Sequence, residues 1–178
     1  MTTALQGVFL ARHGETDYNA RRRFQGLLPI PLNETGQRQA QELAELAVQY
    51  KFRRLWTSPL VRARQTAGAV AARIGLEPVE DVRLVETDTG DWTDCWFADI
   101  EAEHPEEMAA FRRAAPDFAF PGGESFAHQT DRVMAALSDI AAEETPALVV
   151  CHGMAIRLAL AALGRPAERV ANAALIEL

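Results

Sequence analysis

Cysteine and lysine are both scarce in this chain: Cys95 and Cys151 are its only thiols, and Lys51 is the only lysine among 18 basic residues. The thiols form no C-x-x-C pair and no metal-type cluster, so neither a zinc site nor a redox centre is expected, and no cofactor. No stretch approaches the roughly 18 consecutive apolar residues of a membrane span. The opening Met-Thr-Thr-Ala-Leu-Gln-Gly lacks the basic and apolar regions of a secretory leader. A cytoplasmic protein without a membrane partner is therefore expected. An excess of positive charge is lacking too, the formal net charge being −7. A general nucleic-acid binder normally carries a basic surface, so nucleic acid is not an expected partner. A small anion remains compatible where cations gather locally, and arginine, which supplies nearly all the positive charge, has a planar fork suited to phosphate. Nothing in the sequence speaks to oligomeric state.

The length of 178 residues suits one domain spanning 1–178, with no linker or repeat to divide it. Gly7 to Ala11 is a short apolar run bounded by glycine, which reads as a buried strand, and it switches abruptly to Arg12, His13 and Gly14. A cation and a titratable nitrogen thus leave a strand together, beside a glycine that lets a ligand or another backbone come close. Residues 15–32 read as loop because of Gly26, Pro29 and Pro31, and they carry Arg21, Arg22 and Arg23, either a solvated face or a substrate-attracting patch. Asn33 is placed to cap a helix with apolar positions at Ala40, Leu43, Ala44, Ala47 and Tyr50. Leu55–Thr57 gives a strand, and Ser58-Pro59 predicts a helix from Pro59 to about Arg73 with Ser58 as its cap. Arg62 falls in the first turn of that helix, where unpaired N–H groups and the macrodipole already favour an anion.

Residues 76–86 read as strand pieces ending at Glu86. Short helices are expected at 96–103 and 105–114, within an irregular segment of about 87–121 that lies over something. A longer helix follows over 125–142, then a buried strand at Ala147–Cys151, an apolar helix at 154–163 ended by Gly164, and a last strand within 173–178. Strands alternating with helices imply an α/β fold, a three-layer α/β/α arrangement around a mainly parallel, doubly wound sheet. Ligands of such sheets collect at the carboxyl ends of the strands. Arg12, His13, Arg62, Glu86 and His152 all fall at that rim. Two arginines offer a fork for a phosphoryl group, two histidines a nucleophile and a further donor, and Glu86 a carboxyl group to protonate a leaving oxygen.

The motifs Leu10-Ala11-Arg12-His13-Gly14-Glu15-Thr16 with Asn19, Phe24-Gln25-Gly26, Ser58-Pro59-Leu60 with Arg62-Ala63, Glu86 with Gly90 and Trp92, Pro121-Gly122-Gly123-Glu124-Ser125, and His152-Gly153 follow one another over nearly the whole chain. In this order they resemble the histidine phosphatase superfamily, the phosphoglycerate mutase-like proteins. The resemblance implies that His13 forms a phosphohistidine, that Arg12, Arg62 and His152 surround the phosphoryl group, and that Glu86 is the acid and then the base. It makes Asn19, Gln25 and Gly153 further substrate contacts, and 87–121 a segment covering the substrate. Thr93 and Asp94 depart from the Glu-Gly common in the family, as do Pro29 and Asn33 from a usual Asp and Thr. Mutases of the family tend to be longer, and the short chain favours transfer to water, so a phosphatase without metal acting on a small phosphomonoester is expected; the early stop also raises the question of a missing edge strand. Alternatives are a catalytically silent member that binds a phosphorylated ligand or protein, and a phosphoglycerate mutase. Cys151 and Arg157 also satisfy Cys-x5-Arg, a cysteine phosphatase pattern.

Overall fold

A computed structural model of the chain describes residues 5–166 and 168–178. Met1–Ala4, on which the expected absence of a leader partly rested, lie outside the described residues. Five strands form one sheet in the order β3-β2-β4-β1-β5. They are β1 (Val8–Arg12), β2 (Arg54–Thr57), β3 (Pro78–Glu80), β4 (Ala147–Cys151) and β5 (Leu175–Glu177). The first four neighbours in that order run parallel, and β5 pairs antiparallel with β1, so an edge strand closes the sheet at the C-terminal end of the chain.

The strand β4, and β1 as far as Ala11, are apolar because both of their faces are covered, as parallel sheets require. Alternate side chains along β1 enter opposite layers. Val8 and Leu10 pack with α6 (Phe126–Ala141) and α7 (Gly153–Ala162), while Phe9 and Ala11 pack with α2 (Glu34–Ala47) and α3 (Val61–Ile74). The three-layer α/β/α architecture is thus written into one strand. A third apolar cluster, built from Phe24, Trp92, Ile100, Met108, Phe118, Phe120 and Phe126, lies under α4 (Phe97–Glu103) and α5 (Pro105–Arg112) and meets α7 at Met154 and Leu158.

Three local expectations are corrected. Residues 15–32 are not all loop: Thr16 and Asn19 form a reciprocal capping box that starts α1 (Asp17–Arg21). The helix expected from Pro59 with Ser58 as its cap begins at Val61, with the extended Leu60 in the cap position and no side-chain cap bond. Between 76 and 86 only Pro78–Glu80 is strand; a single 3-10 turn at Val82–Leu84 follows, and Glu86 sits on the loop after it rather than at a strand end. The helices over 97–103, 105–112 and 126–141, and the Asn33 cap, fall where the sequence places them.

Candidate active site

β1 and β4 are hydrogen-bonded neighbours, so the residues that follow them, His13 and His152, meet at one rim with ring centroids 5.2 Å apart. Both are buried. His13 Nδ1 lies 2.7 Å from the carbonyl oxygen of Gly14. A carbonyl only accepts, so Nδ1 carries the proton and Nε2 is left with a free lone pair. Burial, with the Arg62 and Arg12 guanidiniums nearby, holds the His13 imidazole well below its usual range, so it is neutral at pH 7. Burial first, then Arg62 and His13, lower His152 in the same direction. His152 Nε2 is 2.7 Å from Ser58 Oγ, which also accepts from Leu60 N–H.

Each guanidinium is held by carbonyl oxygens rather than by carboxylates. Arg12 donates to Val170, and Arg62 donates to Gly26 and Leu28. Burial pulls Arg62 down to about 10, so both remain cationic near neutral pH. With their charges left uncompensated by a carboxylate hydrogen bond, Arg12 Nε, Arg62 Nε and His152 Nδ1 are all buried without a protein partner. Such orphaned nitrogens cost free energy unless a ligand accepts from them. Gly153 makes room for this arrangement, since a Cβ there would come within 3.1 Å of Arg12 Nε.

Glu86 faces the same cavity, of about 760 Å³, and interacts electrostatically with both arginines. Its Oε1 accepts from Thr87 N–H and Gln129 Nε2, and its Oε2 accepts from Met154 N–H in the first turn of α7. The backbone carrying it is strapped by Arg132, which donates to the carbonyls of Arg83, Val85 and Glu86 and is paired with Glu124 at 2.7 Å. Asn19 and Gln25 line the cavity, but each also has a framework task. Asn19 Oδ1 accepts from Thr16 N–H and from Asn172, and Gln25 Oε1 accepts from the Thr16 hydroxyl.

Of the candidate site residues, Arg12, Asn19, Gln25, Glu86 and Gly153 line this cavity, while His13, Arg62 and His152 are buried beside them. Gln129, Arg132 and Asn172 are not singled out by the sequence, and Ser58 is singled out only as a helix cap. Their roles arise from pairings 43 to 159 residues apart along the chain, which no local pattern carries. The Cys-x5-Arg reading is excluded by placement. Cys151 packs into the core cluster with Leu10 and Val149, and burial pushes its thiol up to about 12.

The profile of the histidine phosphatase superfamily (branch 1) matches residues 8–177. The chain belongs to this superfamily. Among relatives, it is 37% identical over 167 residues to a phosphoglycerate mutase-like protein of Arabidopsis thaliana, covering 91% of this chain and 72% of the relative. It is 36% identical to a Bacillus subtilis protein named as the uncharacterized phosphatase PhoE, covering 88% and 76%. In three dimensions it is similar to a mycobacterial glucosyl-3-phosphoglycerate phosphatase solved with VO3, with a TM-score of 0.86, 32% identity and coverage of 94% and 90%. As a superfamily member, the chain has the phosphoglycerate mutase-like fold that its motifs implied.

Proposed function

We propose that this histidine phosphatase family member hydrolyses a small phosphomonoester through a phosphohistidine at His13, without a metal ion. The observation that carries the reading is the trio of buried, unpartnered nitrogens on Arg12, Arg62 and His152, packed about a neutral imidazole whose Nδ1 proton is fixed on Gly14. Non-bridging phosphoryl oxygens satisfy all three nitrogens and supply the negative charge the two guanidiniums lack.

The His13 Nε2 lone pair forms the bond to phosphorus as the ester P–O bond breaks. The proton on Glu86 passes to the departing oxygen, so an alcohol leaves rather than an alkoxide. Phosphorylated His13 is cationic at the ring, and its Nδ1–H is then held by the Gly14 carbonyl at its most polarised. Glu86, now a carboxylate, takes a proton from water as that water attacks phosphorus. Phosphate departs, His13 returns neutral, and Glu86 is again protonated. The phosphatase names of two relatives support this direction. Relatives named as probable phosphoglycerate mutases, such as one from Cronobacter sakazakii at 37% identity, make phosphate return the alternative fate of the same intermediate.

The test is rapid acid-free quenching with a 32P-labelled phosphomonoester in the presence of EDTA. The expected result is an acid-labile, alkali-stable phosphoenzyme and steady release of phosphate, both lost in His13→Gln. Turnover that survives in His13→Gln overturns the nucleophile. Conversion of 3-phosphoglycerate to 2-phosphoglycerate without phosphate release overturns the hydrolysis.

A further inference from the structure

Arginines elsewhere on the molecular surface, Arg21 apart, are tied to protein acceptors. Arg53 and Arg54 pair with Glu143 and Glu144, Arg64 with Glu80, Arg73 with Glu45, and Arg83 with Asp81 and Asp139. Three that line the catalytic cavity are not. Among the described residues, the side chains of Arg22, Arg113 and Arg169 have no hydrogen bond or ion pair, although the chain has 25 acidic residues to draw on. They come from three separate segments: the end of α1, the end of α5 and the stretch before β5. Arg22 is moreover held in the left-handed region, at φ 55°, where a side chain is placed only at some cost. Arg169 lies close enough to Arg12 for like-charge repulsion to be felt, which an anion between them would relieve.

The second lining material is aromatic. Phe24, Phe97, Phe111 and Phe120 all face the same cavity and touch one another edge-on or tilted, with Phe24 and Phe97 centroids 4.2 Å apart. A rigid aromatic wall offers flat rings a stacking surface and offers a sugar or glycerate hydroxyl no partner. At about 760 Å³ the cavity is well above what a phosphoryl group with a three-carbon body fills, and lies in the range of sites for drug-sized ligands.

Resting on the phosphatase reading, we infer that the preferred substrate is a phosphomonoester whose leaving group combines a flat apolar ring with a second negative charge. The ring lies on the Phe24–Phe97–Phe111–Phe120 wall. The second charge is met at the rim by Arg22, Arg113 and Arg169, while Arg12 and Arg62 hold the phosphoryl group. Neither feature alone satisfies the cavity.

Binding and turnover are measured separately, so that failure of this inference is distinct from failure of the phosphatase reading. Calorimetric titration compares four non-hydrolysable ligands: propylphosphonate, 4-phosphonobutyrate with the charge only, benzylphosphonate with the ring only, and 4-(phosphonomethyl)benzoate with both. The last is expected to bind about tenfold tighter than either single-feature ligand, the size of one added charge-assisted bond or one aromatic stack. In Arg22→Glu/Arg113→Glu, both exposed positions, its advantage over benzylphosphonate is expected to disappear. Equal binding of the four, or 4-phosphonobutyrate as the tightest ligand, overturns the inference. Release of phosphate from the matching phosphate esters reports on the phosphatase reading alone, whatever the binding order.

Discussion

At the scale of single residues, three of the four buried polar side-chain atoms without a partner among the described residues gather at the site, where the proposed phosphoryl group would satisfy them, while the neighbouring polar groups are satisfied by the protein. Glu86 shows the second half of that division. Its Oε1 is engaged by Gln129 and Thr87, so in the proposed acid role the transferable proton would sit on Oε2, which accepts a single bond from the start of α7. Glu86→Gln keeps most of these contacts and removes the proton. Steady-state assays should show turnover of alkyl phosphomonoesters lowered by about 10² to 10⁴. The loss for p-nitrophenyl phosphate, whose leaving group needs little protonation, should be much smaller, and equal losses would remove Glu86 from the acid role. His13 makes a second measurable statement. In the proposed mechanism its reactive form is the neutral base, and its depressed proton affinity keeps that form populated as pH falls. The pH profile of kcat/KM for p-nitrophenyl phosphate should therefore show no inflection from His13 near 6.5, only one well below it.

At the scale of elements, the start of α2 is pressed against the loop that follows His13, the proposed nucleophile. A Cβ on Gly36 would lie 2.0 Å from the Glu15 carbonyl oxygen, and one on Gly14 would lie 2.4 Å from the Gly36 oxygen. Two glycines therefore let a helix and a catalytic loop cross at backbone distance. Gly36→Ala, an exchange that ordinarily favours a helix, should here cost about 1–3 kcal/mol in denaturant unfolding and lower kcat by displacing Gly14. This crossing also marks how far the sequence could be read. The strand ends bearing Arg12, His13 and His152 were legible because an apolar run and its polar terminus are adjacent in the chain, and the Asn33 cap is local for the same reason. Glu86 was found as a residue but not as a loop residue. Its position depends on Arg132 gripping three carbonyls from another helix, and the late start of α3 depends on Ser58 being committed to His152. Contacts of this kind leave no periodicity behind.

At the scale of the whole molecule, the two buried histidines couple the site to the pH dependence of folding. Both have proton affinities below those of an unfolded histidine. In acid the unfolded chain therefore binds more protons than the folded one, and stability falls as pH drops through about 6.5, by up to about 1.4 kcal/mol per histidine per pH unit. Thermal unfolding should show a Tm that is level above pH 7 and declines below 6.5. His152→Asn should flatten that decline even if it lowers the plateau. A decline of the same steepness in the variant would show that these histidines do not set it.

The stretches 18–24 and 94–97, which share in lining the cavity, are also one object. Phe24 N–H reaches Cys95, Asp94 N–H returns to Phe24, and Phe97 N–H reaches Arg22. Tyr18 and Trp96 flank the Arg23 guanidinium at 5.0 and 4.9 Å while Asp94 binds both Arg23 and the Tyr18 hydroxyl. The departure from the family pattern at Asp94 is thus matched by partners some 70 residues earlier. Neither stretch is therefore exchanged alone: a graft of 87–121 taken from a relative has to bring its own 18–24 with it.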